Sequence, residues 1–425
     1  MFNISGGTFE LIAVCIILSG YLISVLKKML IAEDKYRVRN LFFLAIIVRL
    51  LWWFVYFSFI ADSYPFMITD DFNYNRVALA SHMSLTEGRN VYQTVLTYLY
   101  SMFGASSITG RIVNLFASLI CVYPIAYIEG AVLGNRKYIA TRLYAILPFM
   151  FMITSFEIKD ILSMLFFISS IAVMLYLNAG GKKSYIALFV VMCVLSEYMR
   201  TGMGILVFGA YVLDIIVSKI DFMKRNQVIV TGFVLIIAAV MGTIVLREFF
   251  ASSYYTETLV NLGQYMAGRD KSINSGSMFE FLIIDSPSEF WKIPLNLIFF
   301  ITLPSSSEGV GRFFLDFGVY MRIFDVTLCL FGVYCMFRKL FKHPGLVISI
   351  AVPYCYLAIF QVITFREVIF IVPLLYILGV DYLSEPIYSG KKFSFGNGII
   401  MNYRQMVYML STIIWTLFVL SRLIR

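Results

Sequence analysis

Residues 68–80 read ITDDFNYNRVALA and put two adjacent carboxylates, Asp70 and Asp71, just after one of the most apolar stretches of the chain. A carboxylate takes a proton from an attacking hydroxyl when its pKa is drawn upward, and a like-charged neighbour draws it that way. Asp70 and Asp71 are therefore candidate general bases. The same oxygens suit a divalent cation, so they are also the candidate ligands if a metal takes part. Three more charged groups interrupt apolar sequence. SFEIKD carries Glu157, Lys159 and Asp160, SEYMRTG carries Glu197 and Arg200, and TFRE carries Arg366 and Glu367. Arginine grips phosphate through a planar fork and lysine through a point charge. Lys159, Arg200 and Arg366 are candidate anchors for an anionic substrate, with Glu157 and Asp160 beside them. Tyr64, Phe66, Phe72, Tyr74 and Tyr92 surround the acidic pair. Such rings stack on sugars or, more commonly, anchor at a membrane interface.

Each group also has a plainer use. Two carboxylates in a loop are solvated, a Glu-x-Lys-Asp run pins a turn, and an arginine at a span end snorkels to the headgroups. Their common placement argues for one site, and that placement depends on the elements around them. The chain is 60% hydrophobic and 14% charged, where soluble domains carry about a quarter charged residues. Apolar runs of about 17–25 residues, the length a bilayer demands, recur throughout. The expected fold is all-α, a polytopic integral membrane protein forming a single transmembrane domain over residues 1–425. The first apolar run lacks a basic leader and a clear cleavage site, and reads as a retained span.

Hydropathy places spans near 8–26, 41–60, 109–132, 138–156, 161–178, 184–198, 202–219, 228–246, 319–337, 346–365, 367–383 and 404–422, about twelve in all. Basic residues gather between them: Lys27 to Arg39, Arg136 to Arg142, Lys182 and Lys183, Lys219 to Arg225, Arg338 to Lys342, and Lys391 to Arg404. The positive-inside rule makes these turns cytoplasmic and explains the net charge of +9 without nucleic acid. Two long segments then lie outside. Residues 61–108 form the first extracytoplasmic loop, with VYQTVLTYLYSMFG as an interfacial helix. Residues 247–318 form the second, with WKIPLNLIFFITLP as a re-entrant or interfacial helix bracketed by Pro294 and Pro304. All four charged groups fall on the outer side. His82 and His343 fall on opposite sides, which excludes a shared histidine metal site. The six cysteines show no metal or disulfide spacing.

An outer acidic pair, a tyrosine, the small-residue stretch ALAS and then Phe103, Gly104, Ser106, Arg111 and Asn114 resemble the start of the GT-C superfamily of polytopic glycosyltransferases. The likeness is strongest to the protein O-mannosyltransferase-like and aminoarabinose transferase-like branch. LPFMFMITSFEIKDILSMLFFISSIAVMLYLN resembles that family's proline-containing span, outer Lys-Asp turn and returning span, and VLSEYMRTGMGILVF its short span ending in arginine. The likeness covers about residues 60–215 and consists of loose patterns. It departs in two ways: the acidic pair follows the second span rather than the first, and no soluble outer domain is read at the C-terminal end. Surface-polysaccharide polymerases share the same features.

The resemblance implies sugar transfer from a polyprenyl-phosphate-linked donor to a glycan or lipid-linked acceptor, outside a bacterial cytoplasmic membrane. Asp70 or Asp71 would be the base and a divalent cation an optional cofactor. Lys159, Arg200 and Arg366 would hold the lipid phosphate. A repeat-unit polymerase is the alternative. A transporter or flippase comes next, but would carry internal symmetry and mid-membrane charge. The charge distribution makes a direct prediction. A single cysteine at Ser84, in a background without the native cysteines, is expected to react with an impermeant reagent in intact cells. Labelling only after lysis would reverse the topology.

Overall fold

A computed structural model describes residues 7–61, 69–81, 91–134, 137–219, 291–292, 323–339, 343–359, 369–384, 393–395, 399–401 and 403–423. The described elements are helical apart from one short hairpin. Helix α1 spans Gly7–Lys27, α2 Ala32–Val55, α3 Thr69–Ser81, α4 Val91–Phe103, α5 Ser107–Ile120 and α6 Val122–Leu133. Then come α7 (Ile139–Ile146), α8 (Pro148–Met152), α9 (Asp160–Asn178), α10 (Tyr185–Met199) and α11 (Met203–Lys219). Helices α12 (Ile323–Lys339), α13 (Pro344–Ile359), α14 (Val372–Ser384) and α15 (Tyr403–Leu423) complete the set.

Four helical stretches are long and apolar enough to cross a membrane: Gly7–Lys27, Ala32–Ile60, Ile108–Leu133 and Asp160–Asn178. Shorter apolar helices overlap the stretches expected as spans at 184–198, 202–219, 319–337, 346–365 and 367–383. The expected span at 228–246 lies outside the described residues, as does the second outer segment at 247–318 except for Trp291 and Lys292. The second stretch begins at Ala32 rather than near residue 41, with Glu33 and Asp34 in its first turn, where the helix dipole favours acids. It ends in a π turn over Tyr56–Ile60.

Two expectations change. The single span expected at 138–156 is broken. Pro148 has no N–H to continue a helix and forces Leu147 into extended backbone, with φ −68° and ψ 130°. The chain goes on through α8 and a 3-10 turn at Ile153–Ser155 to an extended Phe156. The first loop, 61–108, is not open chain around its acidic pair, because Asp70 and Asp71 fall in the first turn of α3. The all-α expectation holds, with one small addition, a hairpin in which Phe393–Phe395 pairs antiparallel with Ile399–Met401. Gly396, Asn397 and Gly398 stand between those strands in sequence, a turn composition that hydropathy does not register.

Helix α9 lies at the centre, against α5, α6, α10 and α11. Its residues from Ile161 to Leu175 are buried except Phe166. Ser163 and Ser170 return their hydroxyls to the carbonyls of Lys159 and Phe167, so small polar residues sit inside without losing a partner. Arg49, inside the second apolar stretch, is fully buried. It donates to Ser118 Oγ at 2.8 Å and to the carbonyls of Ala45 and Ala145, and lies over the Tyr144 ring at 5.1 Å. These contacts tie α2 to α5 and α7. Ile16, Ile17, Leu18 and Tyr21 on α1, and Ile47, Leu50, Leu51 and Phe54 on α2, are exposed apolar faces that lipid would cover.

Polar ties also hold the far ends of the helices. Asp214 accepts from Gly345 N at 2.7 Å and from Asn178 Nδ2 at 2.7 Å, joining α11 to the start of α13 and the end of α9. Glu129 accepts from the amides of Ala140 and Thr141 at the start of α7. Helices α12 and α14 approach through glycine: a Cβ on Gly332 would overlap the Leu375 carbonyl, and one on Gly379 the Leu328 carbonyl. Backbone cannot swing aside as a side chain does. Gly379→Ala is therefore expected to destabilise the fold by about 1–3 kcal/mol. Thermal unfolding of the purified protein in detergent checks this, with Gly209→Ala, which meets open space, as the control.

Candidate functional site

The site is built around helix α5. Ser106 opens it, its hydroxyl accepting from Ile108 N at 3.3 Å, the usual cap for free amides at a helix start. Gly110, Arg111 and Asn114 then fall at spacings that put neighbours on one side of a helix. Arg111 Nη2 lies 3.3 Å from Asp71 Oδ2, and both side chains are 0% exposed. The guanidinium also sits 5.6 Å from the Tyr56 ring centre. Asp71 Oδ1 accepts from the backbone N–H of Glu157 at 2.8 Å. One carboxylate thus joins α3, α5 and the turn that leads into α9.

That turn is held at three further points. Asn114 Nδ2 donates to the carbonyls of Phe156 at 2.8 Å and Ile158 at 2.9 Å. Its contact to Tyr92 Oη is longer, at 3.5 Å. Glu157 Oε1 accepts from Tyr100 Oη at 2.7 Å and from Gly110 N at 3.2 Å, and Oε2 from Asn75 Nδ2 at 3.0 Å. Asn75 and Tyr100 are bonded to each other. Glycine is required at position 110, because a Cβ there would lie 2.5 Å from Glu157 Oε1. Irregular backbone this deep among apolar helices needs such partners for its polar groups.

On the other side of the turn, Asp160 opens α9 and pairs with Arg200 at 3.1 Å. Arg200 follows the last turn of α10 and lies 4.8 Å from the centre of the Phe370 ring, which packs edge-on against Phe167. Its side chain is 12% exposed. Lys159, at the cap of α9, is half-buried. Tyr74 packs edge-on against Tyr92 at 5.3 Å, behind the network.

The structure therefore gathers Asp71, Glu157, Lys159, Asp160 and Arg200 on and around one turn, with Tyr74 close by. Asp71 is not the surface carboxylate expected from its loop, because the Arg111 ion pair and the Glu157 amide take it into the interior. Glu197, expected beside Arg200, accepts from the amides of Gly202, Gly204 and Ile205 and anchors the start of α11. The Asp70 side chain, Arg366 and Glu367 lie outside the described residues. Arg111, Asn114, Asn75, Tyr100 and Gly110 had no role from sequence. A charge and an amide inside the apolar run at 109–132 were the signal for the first two. Among the described residues, no group of three or more His, Cys, Asp and Glu side chains is placed to hold a metal ion.

Burial and the Asp71 carboxylate push Glu157 up to about 8, against the opposing pull of Tyr100, Arg111 and Asn75. Desolvation, the largest effect, acts together with the Asp71 carboxylate against three neighbours that favour the charged form. Burial and the Glu157 carboxylate likewise hold the Tyr92 and Tyr100 hydroxyls above the phenol range. The arrangement offers a partly exposed cationic edge, Arg200 and Lys159, backed by buried carboxyl groups, one of which titrates near neutrality. Comparison with protein-family models, curated proteins and solved structures returns no match to this chain.

The raised Glu157 value has a stability consequence. The folded state keeps the proton to about 8, and the unfolded chain releases it near 4.5. Between those values the unfolded state binds fewer protons, so folding stability falls as pH rises and levels off above the folded value. Glu157→Gln removes that dependence. Unfolding temperatures between about pH 5 and 9 should show the variant gaining on the wild type as pH rises. A pH-independent difference would contradict a protonated Glu157.

Proposed function

We propose that the chain is a membrane glycosyltransferase, moving a sugar from a polyprenyl-phosphate-linked donor to a glycan or lipid-linked acceptor in surface polysaccharide or glycoconjugate synthesis. The reaction would take place at the extracytoplasmic face. The observation that carries this reading is the meeting of Asp71, Glu157, Lys159, Asp160 and Arg200, distant in sequence, around the turn that starts α9. A donor with a lipid tail and a charged phosphate needs an apolar flank with cations at its edge. Arg200 and Lys159 supply the cations. The acidic pair of α3 supplies the base for the acceptor hydroxyl, on a helix turn that a general base requires for positioning.

One observation favours a second reading, the repeat-unit polymerase. Asp71 is engaged by Arg111, and a polymerase that holds a diphosphate-linked oligosaccharide through arginine makes less demand on the acidic pair. The test is sugar transfer by purified protein from a polyprenyl-linked donor. Arg200→Lys keeps the charge and loses the fork, so the donor KM is expected to rise about tenfold with kcat less affected. Asp160→Asn, which removes the partner of Arg200 and keeps the guanidinium, serves as the control. Near-normal transfer by the Asp70→Asn/Asp71→Asn double variant would remove the base from the reading and move the polymerase ahead.

A further inference from the structure

We infer that Asp71 and Arg111 form a positioning pair rather than part of the reacting set, and that proton abstraction belongs to the other carboxylate of the pair, Asp70. This division rests on the transferase reading. Both oxygens of Asp71 are committed, Oδ2 to Arg111 and Oδ1 to the Glu157 amide, and the side chain is fully buried. A general base must come within about 2.6–3.2 Å of the hydroxyl it deprotonates. A carboxylate closed in by a guanidinium and a backbone amide does not meet that condition.

The two bonds do something else. Through Oδ1, Asp71 fixes the backbone at Glu157, two residues before Lys159 and three before Asp160, which pairs with Arg200. Through its own backbone it fixes the first turn of α3, which includes Asp70. Arg111 sets the distance between these two parts by holding Asp71 from α5. Asn114, one helical turn along α5, grips the same turn through the Phe156 and Ile158 carbonyls. The base and the phosphate-holding edge are thereby referred to a single helix.

A positioning pair and a catalytic base respond differently to paired substitution. Asp71→Asn leaves Arg111 buried without the Asp71 counter-charge, and Arg111→Gln leaves Asp71 buried without the guanidinium, so each should lower the unfolding temperature. Removing both charges relieves the burden. The double variant Asp71→Asn/Arg111→Gln is expected to recover the unfolding temperature and to bring kcat within about tenfold of wild type. Its rate–pH profile should keep the acidic limb that reports the base. Asp70→Asn is expected to lose about 10²–10⁴ in kcat, to abolish that limb and to leave the unfolding temperature unmoved.

A stable double variant without transfer, together with an active Asp70→Asn, would make Asp71 the base and overturn the proposal. So would unfolding temperatures that fall additively in the double variant, because the two side chains would then not act as a pair. If the wild-type protein transfers no sugar from any polyprenyl-linked donor while the unfolding temperatures still couple, the transferase reading fails and the Asp70 assignment with it. The Asp71–Arg111 clamp then stands on the coupling alone.

Discussion

The interior of this protein depends on an ion pair that water never reaches. Taking a carboxylate and a guanidinium out of water costs several kcal/mol for each ion, and their attraction offsets this only when the geometry is good and the remaining polar atoms find partners. Asp71 meets the condition by also accepting the Glu157 amide, and Arg111 lies beside the Tyr56 ring. Removing one partner of such a pair typically costs about 3–5 kcal/mol, a large share of what holds any domain folded. The pair therefore constrains α3, α5 and the turn before α9 to one arrangement. The bonds from Asn75, Tyr100 and Gly110 to the Glu157 carboxyl group, and from Asn114 to the Phe156 and Ile158 carbonyls, act on the same turn.

The same constraint accounts for the broken helix. An uninterrupted helix through residues 138–156 would satisfy its own backbone and have no use for α5. Pro148 prevents that, and the freed polar groups between Leu147 and Lys159 look sideways for partners. The Glu157 amide donates to Asp71 and the Phe156 and Ile158 carbonyls accept from Asn114, while Trp52 and Trp53 donate to the side-chain hydroxyls of Ser155 and Thr154. Local sequence chemistry thus creates the need, and two neighbouring helices meet it. The result is a rigid irregular turn with charged side chains at its exit.

Much of the helical framework was legible in the sequence because its signal is local. Runs such as α1 and α9 are apolar along their whole length, and their expected limits lie within a residue of those observed. Pro148 announced a break that hydropathy averaged away. Helix α3 was hidden because Asn73, Asn75 and Arg76 dilute its apolar content, so that it reads as a loop. The site was legible only in part. Adjacent acids and charged turns stand out against apolar sequence, which drew attention to Asp71, Glu157, Asp160 and Arg200. That Asp71 would be buried, and by Arg111, depends on a contact between distant segments, and composition carries no trace of such a contact.

The helical stretch Ile108–Leu133 has a consequence for how the chain enters a bilayer. It carries Arg111, Asn114 and Glu129, all buried in the finished protein. A charged residue at the centre of a lone inserting helix costs about 2.5–3.5 kcal/mol on translocon-based scales, and Arg111 and Glu129, each near an end of the stretch, carry a smaller cost of the same kind. Synthesis order eases this: Asp71, the partner of Arg111, emerges from the ribosome first, and so does Arg49, which will bond Ser118. The acceptor for Arg111 and the donor for Ser118 have therefore been made when this segment arrives. Asn114 and Glu129 must wait, since the Phe156 and Ile158 carbonyls and the Ala140 and Thr141 amides follow them in the chain. The order of segments along the gene is thus also an order of assembly, in which each costly side chain meets its counterpart soon after it leaves water.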